Sequence, residues 1–144
     1  MKTSILTLFA ILTSAFAMAQ AQDLDPKDVP GIVKSTVLIK FPDATNIKWE
    51  KEKDNYEASF IYEKQEQFAL LDPSGNLIET EIKITKDDLP NSVLPYVKVN
   101  YRRKKVKEVS KVKDANGKVF YDVEIYKKDI RFDHKGNFVK EIDE

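Results

Sequence analysis

Few residues in this chain could do covalent or acid–base chemistry, and they are scattered. His134 is the only histidine, and there is no cysteine. His134 stands in Asp133-His134-Lys135-Gly136, a sequence that favours a turn. An imidazole there could serve as general base or metal ligand only with partners that the neighbouring sequence does not supply. The serines are Ser4, Ser14, Ser35, Ser59, Ser74, Ser92 and Ser110. None lies in a Gly-x-Ser-x-Gly elbow or in a supported Ser-x-x-Lys motif, so a hydrolase would have to recruit His134 from a distance. The lack of cysteine removes disulfides, zinc–thiolate sites, cysteine catalysis and thiol-linked lipid anchors. Asp72, Gly75 and Asn76, repeated as Asp133, Gly136 and Asn137, superficially suggest a calcium loop. Calcium needs roughly six to eight oxygens, and turn formation accounts for both triplets. Glu79 and Glu81 alternate onto one strand face, but an acid/base pair would need a cleft. The chemistry predicts no enzyme, no metal and no cofactor.

Binding chemistry is better represented. Arg102, Arg103, Lys104, Lys105, Lys107, Lys111 and Lys113 fall close together, with Glu108 the acid among them. Such a strip suits an acidic protein face or an anionic envelope surface. It equally suits a solvated strand edge, where lysines discourage sheet-to-sheet pairing. Aromatics are the second feature. Trp49, Tyr56, Phe60, Tyr62 and Phe68 cluster in the first half. Some of Trp49, Tyr62, Phe120 and Tyr126 are candidates for an open sheet face, where rings give large contact area at low entropy cost; core packing is the competing assignment. The candidate protein-binding residues are therefore Trp49, Tyr62, Tyr126, Arg102, Arg103, Lys104 and Lys105.

The elements that must position these residues read clearly. Residues 1–21 have the layout of a secretory signal peptide: Lys2, an apolar run Ile5–Ala17, then small residues spaced for cleavage near Ala19 or Ala21. The expected location is the periplasm or the cell exterior. The chain has 144 residues, with 24 basic and 24 acidic side chains. That balance argues against nucleic acid as partner. Val29, Val33, Val37 and Phe41 recur at spacings of four, which predicts a helix ending near Phe41-Pro42. Thr45–Lys51, Tyr56–Tyr62, Gln67–Leu71 and Leu77–Ile84 alternate with period two and predict four antiparallel strands.

The pattern then returns. Leu89, Val93, Val97 and Tyr101 repeat the helix about sixty positions on. Pro95 predicts that this copy is kinked or starts late. Lys104–Lys113 reads as an irregular strand, Asp114–Lys118 with Asn116-Gly117 as a hairpin signal, and Val119–Tyr126, Asp129–Phe132 and Phe138–Ile142 as strands. The expected organisation is 22–84 as a first module and 85–144 as a second, together one domain, since halves of about sixty residues are marginal alone.

The motifs Val29-Pro30, Phe41-Pro42, Ile47-Lys48-Trp49-Glu50, Tyr56-Glu57-Ala58-Ser59-Phe60 and Asp72-Pro73-Ser74-Gly75-Asn76-Leu77, in that order, resemble the PepSY-like family, whose members resemble β-lactamase-inhibitor proteins. The resemblance spans Val29–Ile142. The second half is the more divergent copy, with Val109 where Trp49 stands and Arg102 in place of the proline. It implies an α+β fold of tandem α-β-β-β-β modules, with helices packed on one face of antiparallel sheet. It also implies a non-catalytic exported module that binds or inhibits another exported protein. A structural, envelope-maintenance role without a tight partner is the alternative.

Overall fold

The computed structural model describes residues 22–143. The proposed signal peptide and its cleavage sites lie outside them. Nine strands form one antiparallel sheet in sequential order. The first is β1 (Gln22–Leu24). The first unit follows as a 3₁₀ turn Pro26–Asp28, α1 (Gly31–Lys40), β2 (Thr45–Glu52), β3 (Asn55–Tyr62), β4 (Gln65–Leu71) and β5 (Leu77–Lys83). The second repeats it as a 3₁₀ turn Lys86–Asp88, α2 (Val93–Asn100), β6 (Glu108–Asp114), β7 (Val119–Ile125), β8 (Lys128–Asp133) and β9 (Phe138–Asp143). The architecture is the expected tandem α-β-β-β-β pair. The halves join through β5 and β6, from Glu79↔Asp114 to Lys83↔Ser110.

Both helices pack on the same face, each over its own core. One core contains Val29, Val33, Val37, Trp49, Ala58, Phe60, Ala69 and Leu71. The other contains Leu89, Val93, Val97, Val109, Val123, Ile125, Ile130 and Phe132. These sets correspond position for position, and the exchanges compensate. Trp49 lies across from Ala58, and Ala58 from Ala69. In the second unit the same cross-strand row is Val109, Val123 and Ile130. One indole over two alanines has become three branched aliphatics, so each site fills its volume by a different route.

Three connections are the same turn. Asp72 Oδ1 accepts from the N–H groups of Ser74 and Asn76, at 2.9 Å each. Asp133 accepts equally from Lys135 and Asn137, and Asp114 from Asn116 and Lys118. Asn116-Gly117 lies in a hairpin, as expected, between the paired strands β6 and β7; Asp114 captures two backbone donors and sets its turn, with Gly117 at φ +81°. Two of the turns dock on helices. Thr36 Oγ1 donates to the Gly75 carbonyl and Ser92 Oγ to that of Gly136, both at 2.9 Å.

α2 starts late, as expected: it begins at Val93, so Pro95 falls within the first turn, where a missing N–H costs little. The departures are local. A bulge beside Leu71 turns Leu77 toward the helices, against simple alternation. Residues 101–107 are loop, and the strand begins only at Glu108.

Candidate binding surface

Register assigns the side chains of the helix-free face. They include Glu50 and Glu52 on β2; Glu57, Ser59 and Ile61 on β3; and Phe68 and Leu70 on β4. Glu79, Glu81 and Lys83 follow on β5, Ser110 and Val112 on β6, Phe120 and Asp122 on β7, and Arg131 on β8. Long side chains lean across this face: Arg131 Nη1 lies 3.1 Å from Glu79 Oε2, although β8 and β5 are three strand spacings apart. Val112 is fully buried and Ser110 nearly so, with no helix above them.

One charged cluster organises the second half of the face. Arg131 Nε and Nη2 donate to the two carboxylate oxygens of Asp122 at 2.8 and 2.7 Å. Its remaining donors reach Glu79, and its guanidinium sits 5.4 Å from the centre of the Phe120 ring. Asp122 and Arg131 are both buried. Burial lowers the Arg131 pKa, but hydrogen bonds and charge from Asp122 and Glu79 outweigh it and leave it raised. The cluster ties β7 and β8 of the second unit to β5 of the first.

The first half of the face holds carboxylates without such a cation. Glu57 has no hydrogen-bond or ion-pair partner among the described residues. It stands directly across from Glu50 and near Glu52, Glu79 and Glu81. Burial, then repulsion from those four carboxylates, pushes its pKa up to about 7. Glu81 is also raised, by burial first, against a hydrogen bond from Ser110. Phe68, Leu70 and Phe120 lie half-buried among these groups. The face thus offers apolar contact beside uncompensated negative charge.

The structure disperses the residues expected to form a site. Trp49 is 5% exposed in the first core. It faces the helices because β2 pairs Trp49 with Ala58, so it is a packing residue and does not line the open face. Tyr62 is on the helix side too, edge-on to Phe41 at 5.3 Å. Tyr126 occupies the exposed tip between β7 and β8. Arg102, Arg103, Lys104 and Lys105 are exposed in the loop beside that tip, with Lys104 Nζ 5.4 Å from the Tyr126 ring centre. Lys111 and Lys113 point to the helix side of β6 instead. Of the predicted rings, only Phe120 reaches the open face. His134 is exposed in its turn, and the Ser92 hydroxyl that reaches this turn is committed to the Gly136 carbonyl. Among the described residues no cluster of His, Asp and Glu side chains is placed to hold a metal ion. No described helix is long and apolar enough to cross a membrane.

Solved structures share this architecture. One of the "putative periplasmic proteins" of Bacteroides eggerthii superposes with a TM-score of 0.66 at 19% identity, covering 80% of this chain and 88% of that one. A DUF2874 family protein of Bacteroides uniformis gives 0.66 at 18% identity, covering 79% and 88%. A BLIP-like protein of Bacteroides fragilis gives 0.62 at 24% identity, covering 83% and 87%. At these identities the likeness establishes the fold. No curated protein matches the sequence. A family model described as "Putative beta-lactamase-inhibitor-like, PepSY-like" matches residues 16–79 and again 56–140. The chain, built as two α-β-β-β-β units on one sheet, belongs to this PepSY-like family.

Proposed function

We propose that the protein is an exported, non-catalytic binding module that receives a cationic segment of another exported protein on the helix-free face of its sheet. The observation that carries this reading is Glu57, half-buried, ringed by four carboxylates and paired with no cation. A folded chain gains nothing by keeping a carboxylate in that state. A lysine or arginine from a partner would relieve it, while Phe68, Leu70 and Phe120 supply apolar contact. Inhibitor-like action on an envelope or secreted enzyme is the form of binding that the family description favours. Periplasmic or secreted location, after cleavage near Ala19 or Ala21, follows from the apolar run at residues 5–17. The likeness to one of the "putative periplasmic proteins" of Bacteroides eggerthii supports it. A scaffolding role without a tight partner would not call for the half-buried rings on this face.

The test is retention of envelope proteins by immobilised residues 22–144, which include every helix and strand described above. Inverting the face with Glu57→Lys and Glu81→Lys should abolish retention of a specific protein, and neutralising Arg102–Lys105 should spare it. Equal retention by the face variant, with its circular dichroism unchanged, would overturn the proposal.

A further inference from the structure

The loop between helix and strand differs sharply between the two units. In the first, 41–44 connects α1 to β2 with Phe41-Pro42-Asp43-Ala44. In the second, 101–107 connects α2 to β6 and reads Tyr101-Arg102-Arg103-Lys104-Lys105-Val106-Lys107. Both units fold, so neither the longer loop nor its added cations are needed to join a helix to a strand here. The loop runs along the β7–β8 hairpin, held where Lys107 N donates to the Glu124 carbonyl at 2.9 Å. That course gathers three ammonium groups around one ring. Lys104, Lys107 and Lys127 stand 5.4, 6.0 and 5.5 Å from the centre of Tyr126, which is 59% exposed. Lys107 pairs with Glu124; Lys104 and Lys127 have no ion-pair partner among the described residues. Val99, 63% exposed, is the penultimate residue of α2, which ends at Asn100 just before this loop.

We propose that this end of the molecule docks on a phosphate-bearing lipid surface, independently of the helix-free face. The like charges repel one another in the free protein, and a surface of anionic headgroups relieves that repulsion. The site is a projecting hairpin tip and loop, not a groove, so it fits an extended charged plane better than a peptide. Its exposed tyrosine and valine are apolar groups of the kind that settle at the headgroup level, with lysines reaching outward around them.

The experiment is sedimentation of residues 22–144 with phosphatidylcholine vesicles, with and without phosphatidylglycerol. Binding is expected only with the anionic lipid and should weaken as salt is raised. Lys104→Gln with Lys127→Gln should lower affinity about 25-fold, at about fivefold per lysine. Lys111→Gln with Lys113→Gln removes the same charge from the helix side of β6 and should change affinity little. Circular dichroism and thermal melting of each variant establish that the fold is kept. Equal sedimentation with neutral vesicles, or equal losses in the two double variants, would overturn the proposal. So would release by inorganic phosphate at constant ionic strength, or capture of polyglutamate in place of vesicles; these would indicate a phosphate-ion site or a site for acidic protein.

Discussion

Replacing Glu57 by glutamine should stabilise the protein, and only above acidic pH. The folded-state pKa is raised to about 7 from an ordinary 4.5. Between those values the folded state holds a proton that the unfolded chain has lost, so stability falls as pH rises through the window. The full shift sets a ceiling of about 3 kcal/mol, from about 1.4 kcal/mol per pH unit. Glu57 is partly open to water, and that contact cuts the cost to roughly 1–2 kcal/mol. Glutamine keeps the size and removes the charge. Urea unfolding at pH 8 should therefore show Glu57→Gln more stable by roughly 1–2 kcal/mol, and at pH 4 the two proteins should be nearly equal. Glu81, raised in the same direction, adds a decline of the same sign to the wild-type curve. If Glu57→Gln were neutral or destabilising at pH 8, the carboxylate would already be compensated within the molecule. The argument for a cationic partner would then lose its basis.

Other predictions concern the frame that shapes this face. Trp49→Val should cost about 3–5 kcal/mol through the cavity left under α1. Adding Ala58→Val and Ala69→Ile, which copies the second unit's row, should recover most of the loss in thermal melting. Arg131→Met should cost about 3–5 kcal/mol, because it strands the buried Asp122 carboxylate; Arg131→Met with Asp122→Leu should restore most of it by urea titration. Glu63 and Lys64 form the β3–β4 turn with φ of 50° and 65°. Replacing them by Asn-Gly should raise stability by about 1–2 kcal/mol, since glycine and asparagine adopt this region readily.

The sequence carried the frame more legibly than the face. Valines four apart marked both helices, and the recurring Asp-x-x-Gly turn marked the duplication. Period two separated the strands into two faces without saying which one the helices cover. That choice is settled by register between Trp49 and Ala58, and it sends the indole inward. β1 was invisible because Gln22–Leu24 joins the edge of the sheet as a three-residue strand with no side-chain pattern of its own. Asn116-Gly117 marked the hairpin between β6 and β7, but not the capture of two N–H groups by Asp114 that sets its turn. Arg131, Asp122 and Glu79 were missed for a different reason. Arg131 and Glu79 are 52 residues apart, and they meet only once β5 to β8 stand side by side in the sheet. Of the candidate binding residues, Tyr126 and the Arg102–Lys105 run do assemble, at the end of the sheet and not at its open face.

The most direct test of the central claim is photo-crosslinking from the helix-free face. A photoreactive phenylalanine analogue at Phe68 places the probe among Glu57, Leu70 and Glu81, and the same analogue at Ile39 places it on the exposed side of α1. After irradiation in the envelope fraction, the account predicts a discrete adduct from Phe68 alone, mapped by mass spectrometry to a segment of an exported protein rich in lysine or arginine. An absence of adducts at Phe68 with the fold intact, or adducts mapping to acidic segments, would contradict it.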